Sequence, residues 1–448
     1  MQFNDSTPTP SPAYLALAGN AIDNPNRSDT QKLKPIAFYL PQFHRIPENN
    51  EWWGQGFTEW TNVAKAQPNF DGHHQPQIPA DLGFYDLSYI ETMREQTDLA
   101  REYGVHGFCF YYYWFSGRKI LEKPVDAFRQ SDISFPFCLC WANENWTRTW
   151  DGDTRSVLLE QKYLEDDPEK FIDSLQDHLK DARYIRVGDK PLLLVYRAKA
   201  IPSCKEIFTR WREHARQIGI GEIHISVVDF YDVTTPDEFG ADSITEFPPH
   251  KFNLPGSSWA EKVNDVSKKF SGYLLDYRKA IQTSIGRRVE SYTVFRSAMP
   301  TWDNTARRQN TSSVFLGSSP ELFELWLRYI SAWTHEQAQT KDEPYIFINA
   351  WNEWAEGAHL EPDIKYGKAW LQAVFSAVKA STTHTTSAAV SSQITSFYKD
   401  HLKLSISMAS QPAGLKPPLR LVQSVSDLSR KIPGLHALLK KIYYKLLG

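Results

Sequence analysis

Eight short apolar runs recur along the chain, and each is followed by a segment rich in polar and aromatic residues. The runs occupy residues 36–40, 106–114, 135–143, 191–197, 223–230, 242–247, 292–299 and 345–351. Most are too short for helices, contain many β-branched and aromatic residues, and are continuous rather than alternating in hydrophobicity. This pattern is typical of strands that are covered on both faces, so it predicts eight buried strands.

Amphipathic helical patterns lie between most of these runs. They cover residues 87–104, 167–182, 204–219, 268–283, 319–337 and 367–381, whereas the link between the fifth and sixth strands lacks a full helical pattern. Strands that alternate with helices predict an α/β fold with a closed parallel barrel, the (β/α)8 or TIM barrel, here with long βα loops. An open dinucleotide-binding sheet would usually carry a glycine-rich loop after its first strand, and the segment YLPQFHRIPE contains no glycine.

The composition changes on both sides of the predicted barrel. Residues 1–33 predict a flexible N-terminal lead, residues 34–381 form the predicted barrel domain, and residues 382–396 are a low-complexity polar linker. Residues 397–448 carry nine Lys or Arg against two Asp and predict a basic amphipathic helical tail. The apolar face of its last part, 432–448, fits an anionic membrane surface, the barrel or a partner protein equally well.

The overall composition is that of an ordinary globular protein. The chain has 448 residues, of which 41% are hydrophobic, and a formal net charge of −3. It shows neither the pattern of a secretory leader nor a run of about 18 apolar residues, so we expect a cytoplasmic protein, peripheral at the inner membrane if the tail binds lipid. The cysteines Cys109, Cys138, Cys140 and Cys204 form no CxxC pair and predict buried thiols in a reducing compartment.

Several common functional motifs are missing from the sequence. It contains no G-x-S-x-G nucleophile elbow and no GK[ST] phosphate loop. Apart from the tail it has no basic track with interleaved aromatic residues, which argues against nucleic-acid binding. His73 and His74 are adjacent and point in different directions, which favours a loop-ordering or substrate role over a metal pair. The sequence thus predicts no metal and no cofactor.

The segments that follow the predicted strands are rich in carboxylates, amides and aromatic rings. In a parallel barrel these segments meet on one face, where chemistry concentrates. Amides and carboxylates can hydrogen-bond sugar hydroxyls, and the flat rings of Trp and Tyr can cover the apolar faces of a sugar. The predicted substrate-binding residues are Gln42, His44, Trp52, Trp53, Glu59, Trp60, Tyr112, Tyr113, Trp114, Trp141, Asn143, Glu144, Trp146, Arg148, Tyr196, Asp229, Glu246, Trp302, Trp351, Asn352, His359 and Glu361.

The segment INAWNEWAEGAHLEPD, residues 348–363, supplies the strongest catalytic candidates. Glu353 and Glu356 are three residues apart just beyond the eighth strand, and Gly357 permits a sharp turn there. Making or breaking a glycosidic bond needs a proton donor for the leaving oxygen and a second carboxylate. Two neighbouring carboxyls in an apolar site raise at least one pKa, which leaves one of them protonated near neutrality. We therefore predict these two residues as the catalytic pair.

Several motifs resemble known carbohydrate-active families. NEWAEGAHLEPD is similar to the N-E-W-x-E-G motif of glycoside hydrolase family 99, the endo-α-mannosidase family. The stretches FYLPQFHRIPENNEWWGQGFTEWTNV, HHQPQIPADLGFYDL, HGFCFYYYWFSGRKILEKPV and WANENWTRTWDG resemble the WbsX family of bacterial lipopolysaccharide and surface-polysaccharide biosynthesis, which is often labelled glycosyltransferase. The likeness covers roughly residues 34–380, so it is more specific than any single pattern.

The resemblance implies a (β/α)8 barrel and, for family 99, retention of configuration through substrate assistance. One glutamate deprotonates the 2-hydroxyl of the sugar, which attacks the anomeric carbon to give an epoxide-like intermediate, and the other protonates the leaving oxygen. Carried onto this chain, Glu353 is the base and Glu356 the acid/base. Ala355 stands where the mannosidases usually carry His, so the resemblance does not extend to mannose specificity.

Three functional hypotheses follow. The first is a glycoside-hydrolase-like enzyme of bacterial surface-polysaccharide, O-antigen or lipopolysaccharide metabolism, whose substrate is an oligo- or polysaccharide, lipid-linked in one version. The second is a nucleotide-sugar-dependent glycosyltransferase on the same barrel, for which the DGD at 151–153 would be a D-x-D metal motif. The third is a non-catalytic glycan-binding protein, in which neither Glu353 nor Glu356 would be needed for binding.

Overall fold

The computed structural model describes residues 33–147, 157–252, 263–337, 344–381 and 385–409. Its main sheet contains eight parallel barrel strands: β1 Lys34–Tyr39, β2 Gly107–Phe115, β3 Phe137–Trp141, β4 Lys190–Val195, β5 His224–Val228, β6 Ser243–Thr245, β7 in two pieces, Thr293–Phe295 and Ser297–Ala298, and β8 Tyr345–Ile348. The helices are α1 Pro47–Trp53, α2 Glu59–Lys65, α3 Ile90–Glu102, α4 Glu122–Gln130, α5 Asp167–Leu179, α6 Cys204–Gln217, α7 Tyr277–Ile285, α8 Thr305–Arg308, α9 Pro320–Glu336, α10 Ala369–Ala380 and α11 Ser387–Ala409.

The strands pair in chain order and close into a barrel. β1 pairs in parallel with both β2 and β8, and the series continues from β2 through β3, β4 and β5 to β6. Arg296 separates the two pieces of β7, of which the first pairs with β6 and the second with β8. The predicted eight-stranded parallel barrel is therefore confirmed, and the carboxyl ends of its strands form one face.

Two short antiparallel strands pair with strands of the barrel. Arg118–Ile120 runs antiparallel to β2, and Arg186–Val187 runs antiparallel to β4. Three small two-stranded sheets lie outside the barrel sheet: Trp146–Thr147 with Val157–Leu159, Tyr273–Asp276 with Ser313–Leu316, and Asn352–Glu353 with Ala358–His359. The last of these contains one of the two predicted catalytic glutamates.

The predicted helix over 268–283 is wrong in its first half. Residues Tyr273–Asp276 form a strand, and α7 begins only at Tyr277, where the Asp276 carboxylate accepts a hydrogen bond from the Arg278 amide as an N-cap. Leu274 packs with Val314 and with Phe70 from the long segment after β1, in a small core of its own. This tertiary pairing outweighs the local helical pattern. The link between β5 and β6 contains only the short 3-10 turn Pro236–Glu238, as its weak helical pattern suggested.

The barrel interior is aromatic and contains most of the thiols. Phe38 packs against Tyr111 and Phe347 with ring centroids 5.9 and 5.4 Å apart. All four cysteines are buried and free, as predicted, and Cys109 faces Cys138 in the register of β2 and β3. Burial raises the pKa of the Cys109 thiol well above its ordinary value.

The C-terminal part of the chain differs from the expected linker. Residues 382–396 were predicted as a polar linker, but α11 already begins at Ser387 and continues to Ala409. Residue contacts divide the chain into two units, Met1–Ser392 and Gln393–Gly448. The apolar face expected at 432–448 lies outside the described residues, as does most of the N-terminal lead. Within the described ranges, no helix has the length and hydropathy needed to cross a membrane.

Candidate active site

The two predicted catalytic glutamates are joined by an arginine that the sequence analysis missed. Arg307, in the short helix α8 after β7, directs Nη2 to Glu353 Oε2 at 2.9 Å and Nη1 to Glu356 Oε1 at 2.6 Å. Its Nε donates to Oε1 of Glu59, at the start of α2, at 2.8 Å. One guanidinium fork from the segment after β7 therefore holds three carboxylates, one from the segment after β1 and two from the segment after β8.

This cluster is largely removed from water. The side chains of Glu59, Glu353 and Arg307 are 0, 5 and 12% exposed, and only Glu356 reaches 21%. Burial raises the pKa of Glu353 to about 8, opposed by Arg307 and reinforced by the charges of Glu356 and Glu59. Burial raises the pKa of Glu356 as well, with Arg307 again opposing and Glu59 adding to the rise. The pair therefore holds a proton near neutral pH.

A tight turn presents both glutamates to Arg307. Glu353 ends the strand Asn352–Glu353, residues Trp354–Glu356 form one 3-10 turn, and Gly357 follows with φ +60°. A Cβ at Gly357 would lie 2.8 Å from the Asp303 carbonyl oxygen, so glycine is required by both conformation and space. The Asp303 amide also donates to the Glu356 carbonyl at 2.7 Å, which ties the turn to the segment after β7.

The indole between the two glutamates is fixed by a buried carboxyl. Trp354 Nε1 donates to Glu361 Oε2 at 2.6 Å, and its ring stacks on His359 with centroids 3.8 Å apart. Glu361 is fully buried and also accepts from Tyr85 Oη at 2.9 Å and Gln96 Nε2 at 2.6 Å. Burial raises the pKa of Glu361 to about 7, while these hydrogen bonds lower it.

The stability of the protein should depend on pH through Glu361. Its folded-state pKa of about 7 lies above the ordinary value of 4.5, so the folded protein binds this proton more tightly than the unfolded chain does. We expect the unfolding free energy of the wild type, relative to Glu361→Gln, to rise by about 2 kcal/mol as pH falls from about 8 to about 5. Urea unfolding at the two pH values measures this difference. Glu206→Gln, on the exposed face of α6, should follow the wild type.

Three tyrosines lie beside the pair. Burial, followed by the nearby charge of Glu353, raises the pKa values of Tyr111 and Tyr113 well above the ordinary value. For Tyr196 at the end of β4, burial is again the main cause, with contributions from Glu356 and Glu353. Tyr111 was missed by the sequence analysis, although side chains two apart on a strand share a face. That alternation could have placed Tyr111 with Tyr113.

Four other predicted residues, Gln42, Trp52, Trp53 and Trp146, lie in the segments after β1 and β3. Trp146 packs edge-on against Trp52 and Tyr113, with centroids 5.5 and 5.4 Å apart. Trp53 packs on Phe57 within the long segment after β1. Gln42 is only 2% exposed, and its Nε2 has no hydrogen-bond partner among the described residues.

Two buried side chains in the long segment after β1, those of Glu59 and His44, each have a polar atom with no hydrogen-bond partner among the described residues. Glu59 Oε2 has no partner among the residues that the structure describes, although Oε1 binds Arg307. His44 contacts the Pro41 carbonyl oxygen through Nδ1 at 2.9 Å, and its Nε2 has no described partner. Burial lowers the pKa of His44, so the ring is neutral at physiological pH.

Some predicted substrate-binding residues face the helices instead. On β2, Tyr112 and Trp114 point away from the face that carries Tyr113: Tyr112 packs against His178 and Trp114 against Phe171, both on α5. Trp141 also packs against Phe171, with ring centroids 4.5 Å apart. These three rings fill the layer between sheet and helices and are not available to a ligand there.

Further predicted residues have structural partners. Asn143 bonds the backbone of Arg197, Asn352 bonds the backbone of Leu40, and His359 contacts Asp363 at 3.1 Å. Trp60 donates a hydrogen bond to the Tyr85 carbonyl, and Glu144 forms an ion pair with Arg197 at the surface. Trp351 is fully buried, and Trp302 is 6% exposed. Asp229 and Glu246 belong to a separate ion-pair network on the barrel wall. Arg148 lies outside the described residues. The described part of the chain contains no group of three or more metal-binding side chains.

Solved structures with similar coordinates include one named Glycoside hydrolase-like protein, 15% identical with a TM-score of 0.48, covering 79% of this chain and 96% of that one. Another is the GH99 endo-α-mannosidase from Bacteroides thetaiotaomicron in complex with BIS-TRIS-propane, 14% identical with a TM-score of 0.47, covering 79% of this chain and 97% of that one. At TM-scores this low, the likeness supports no conclusion about function.

Two curated relatives, both named Uncharacterized protein WxcX, come from Xanthomonas campestris pv. campestris strains ATCC 33913 and B100. Each is 45% identical over 339 residues, which are 75% of this chain and 48% of the relative, so the chain spans about half the length of these relatives. Residues 35–374 match the family described as Glycosyltransferase WbsX. Because this match extends over most of the chain, the protein belongs to the WbsX family.

Proposed function

We propose that this protein cleaves a glycosidic bond in a bacterial surface polysaccharide, with Glu353 and Glu356 handling the two protons of the reaction. The observation that carries the proposal is the convergence of both carboxyls on Arg307 in a buried, tyrosine-lined position beyond the barrel strands. A shared proton and two carboxyls are what an acid/base pair at an anomeric centre requires. Family membership supports a carbohydrate substrate.

The proposed reaction retains configuration with help from the substrate. Glu353 takes the proton of the 2-hydroxyl, the resulting oxygen attacks the anomeric carbon, and Glu356 donates its proton to the leaving oxygen as that bond breaks. Water then attacks the anomeric carbon of the epoxide-like intermediate and gives a proton to Glu356, while Glu353 returns its proton to the 2-oxygen. One water is consumed, and both glutamates end in their starting states.

The reaction needs a pair that holds one proton, placed on Glu356. In the free protein burial raises the pKa of both carboxyls, and Glu356 is the more exposed of the two. Because the two carboxyls are coupled, the proton belongs to the pair, and a substrate hydroxyl beside Glu353 favours the tautomer with Glu353 ionised. The dependence of kcat/KM on pH should therefore be bell-shaped, falling where the pair gains a second proton and where it loses its only one.

Unused polar atoms near the pair support sugar binding. The free Oε2 of Glu59 can accept a hydrogen bond from a sugar hydroxyl, and Gln42 Nε2 can donate one. The rings of Trp52 and Trp146 offer apolar faces in the same part of the protein. These groups suit a neutral, hydroxyl-rich substrate.

Transfer from a nucleotide sugar is the second candidate, because the family description is glycosyltransferase. A panel of aryl glycosides and purified O-antigen fragments, with and without nucleotide sugars and divalent metal, separates the two. We expect reducing sugar to be released by the full chain without any added nucleotide. Product formation only when a nucleotide sugar is supplied would replace hydrolysis by transfer. Saturable glycan binding without turnover in any arm would support the binding-protein hypothesis.

A further inference from the structure

A cavity lies on the outer wall of the barrel, beside the link from β5 to β6, which has no full helix. It has a volume of about 240 Å³. Ile244 of β6 and Val294 of β7 form its apolar floor, and Trp333 of α9 and Tyr292 add aromatic surface. A water molecule occupies about 30 Å³ in the liquid, so the cavity has room for a phosphate or a single sugar ring.

The acids of this cavity are already paired with cations. Asp229 accepts from Lys251 Nζ at 2.5 Å and from Arg287 Nη1 at 2.6 Å. Glu246 Oε1 accepts from Arg287 Nη1 at 2.9 Å, and Oε2 accepts from the Ser297 amide at 3.0 Å. Arg296 Nε lies a further 2.9 Å from Glu246 Oε1. The negative charges of both carboxylates are therefore offset by neighbouring cations of the protein.

The cations, by contrast, keep donors to spare. Arg296 is 1% exposed, and its Nη1 has no acceptor in good geometry among the described residues, although the Tyr329 hydroxyl lies near the guanidinium and Trp333 covers its face at 4.6 Å. Arg287 uses only Nη1 in its described hydrogen bonds, and Arg288 makes none with a described residue.

The charges of the cavity do not balance. Asp229 and Glu246 give −2, and Lys251, Arg287 and Arg296 give +3, so the inner network carries +1. At the mouth, Arg288 and Glu290 cancel. A surplus positive charge behind apolar walls favours an anion over a neutral ligand.

We propose that this wall cavity binds the anionic group, a carboxylate or a phosphate, of a sugar-sized ligand through Arg287, Arg288 and Arg296. The guanidinium forks match the planar or tetrahedral oxygens of such a group. Tyr292 and Trp333 lie beside the body of the ligand. The site lies on strands β5 to β7 and shares no described hydrogen bond with the Arg307 cluster, so it is independent of the proposed hydrolysis.

Calorimetric titration of the full chain with inorganic phosphate, glucuronate and glucose tests this site. We expect saturable binding of at least one of the two anions with Kd of about 1 mM or lower, and none of glucose. Binding of phosphate alone identifies a phosphoryl group, and binding of glucuronate alone identifies a carboxylate. Turnover is not measured, so the result stands whatever happens to the proposed hydrolysis.

Two exposed mouth residues provide matched variants that leave the buried ion pairs intact. Arg288→Gln should weaken anion binding about tenfold, and Glu290→Gln should strengthen it about threefold, since each changes one charge in an opposite sense. Arg216→Gln, an exposed arginine at the end of α6, should leave the affinity unchanged. The proposal would be overturned if the wild type and all three variants bound the anion with equal affinity, or if the wild type showed no saturable anion binding.

Discussion

Replacing either glutamate of the pair with its amide should lower kcat/KM on the natural polysaccharide by about 1000-fold. Glu353→Gln removes the base that activates the 2-hydroxyl, and Glu356→Gln removes the proton donor to the leaving oxygen, while both amides keep the side-chain shape. Steady-state kinetics with the substrate found in the glycan panel measure the loss. KM should change less than kcat, because each proton transfer stabilises the transition state.

The expected loss must be separated from misfolding. Removing a carboxyl from a cluster of three acids around Arg307 relieves repulsion, so both variants should unfold at or above the wild-type temperature. Glu206→Gln, which lies on the exposed face of α6, should retain full activity. A variant of either cluster glutamate that retains more than about a tenth of wild-type turnover would show that the residue is not part of the chemistry.

Arg307→Met should destabilise the protein by about 3 to 5 kcal/mol near pH 8. The substitution leaves Glu59, Glu353 and Glu356 facing each other in a buried site with no cation. Losing that cation raises the carboxyl pKa values further, so the folded protein takes up protons that the unfolded chain does not. The deficit should therefore shrink as pH falls from about 8 towards about 4.5, and urea unfolding over this range measures it.

The neighbouring arginine provides the control. Arg308 is exposed on the same short helix, and Arg308→Met should change the unfolding free energy by no more than about 0.5 kcal/mol. Arg307→Lys keeps the charge but cannot reach three carboxylates in one fork, so its stability should fall between the wild type and Arg307→Met. Wild-type stability of Arg307→Met at every pH would show that the three acids do not depend on this cation.

The barrel could be predicted because its signal is local and repeated. Each strand is a short apolar run, and eight of them alternate with helices, so an error in one run would not change the fold class. The failure at Tyr273–Asp276 has the opposite cause. Its pairing partner, Ser313–Leu316, lies far along the chain, and no local pattern in residues 268–283 indicates that contact.

The site was predictable only in part. Glu353 and Glu356 are close in sequence, whereas Arg307 lies 46 residues before Glu353. The residues on either side of Arg307 form no pattern that would indicate a site residue. The sequence pattern assigns Tyr112, Tyr113 and Trp114 of β2 to substrate binding. The alternation of side chains along the strand instead sends Tyr112 and Trp114 to the helices, and Tyr111 and Tyr113 to the site. Asp229 and Glu246 instead belong to the ion-pair network with Arg287 on the outer wall of the barrel.

The most direct test of the proposed acid compares leaving groups in Glu356→Gln. An aryl glycoside with a strongly acidic phenol needs no proton as the bond breaks, whereas one with a weakly acidic phenol does. Since kcat/KM reports bond cleavage and not the later attack of water, we expect kcat/KM of Glu356→Gln to fall by no more than about tenfold on the first glycoside and by about 1000-fold on the second. Glu353→Gln should be slow on both. An equal loss on the two glycosides in Glu356→Gln would contradict the assignment of Glu356 as the proton donor.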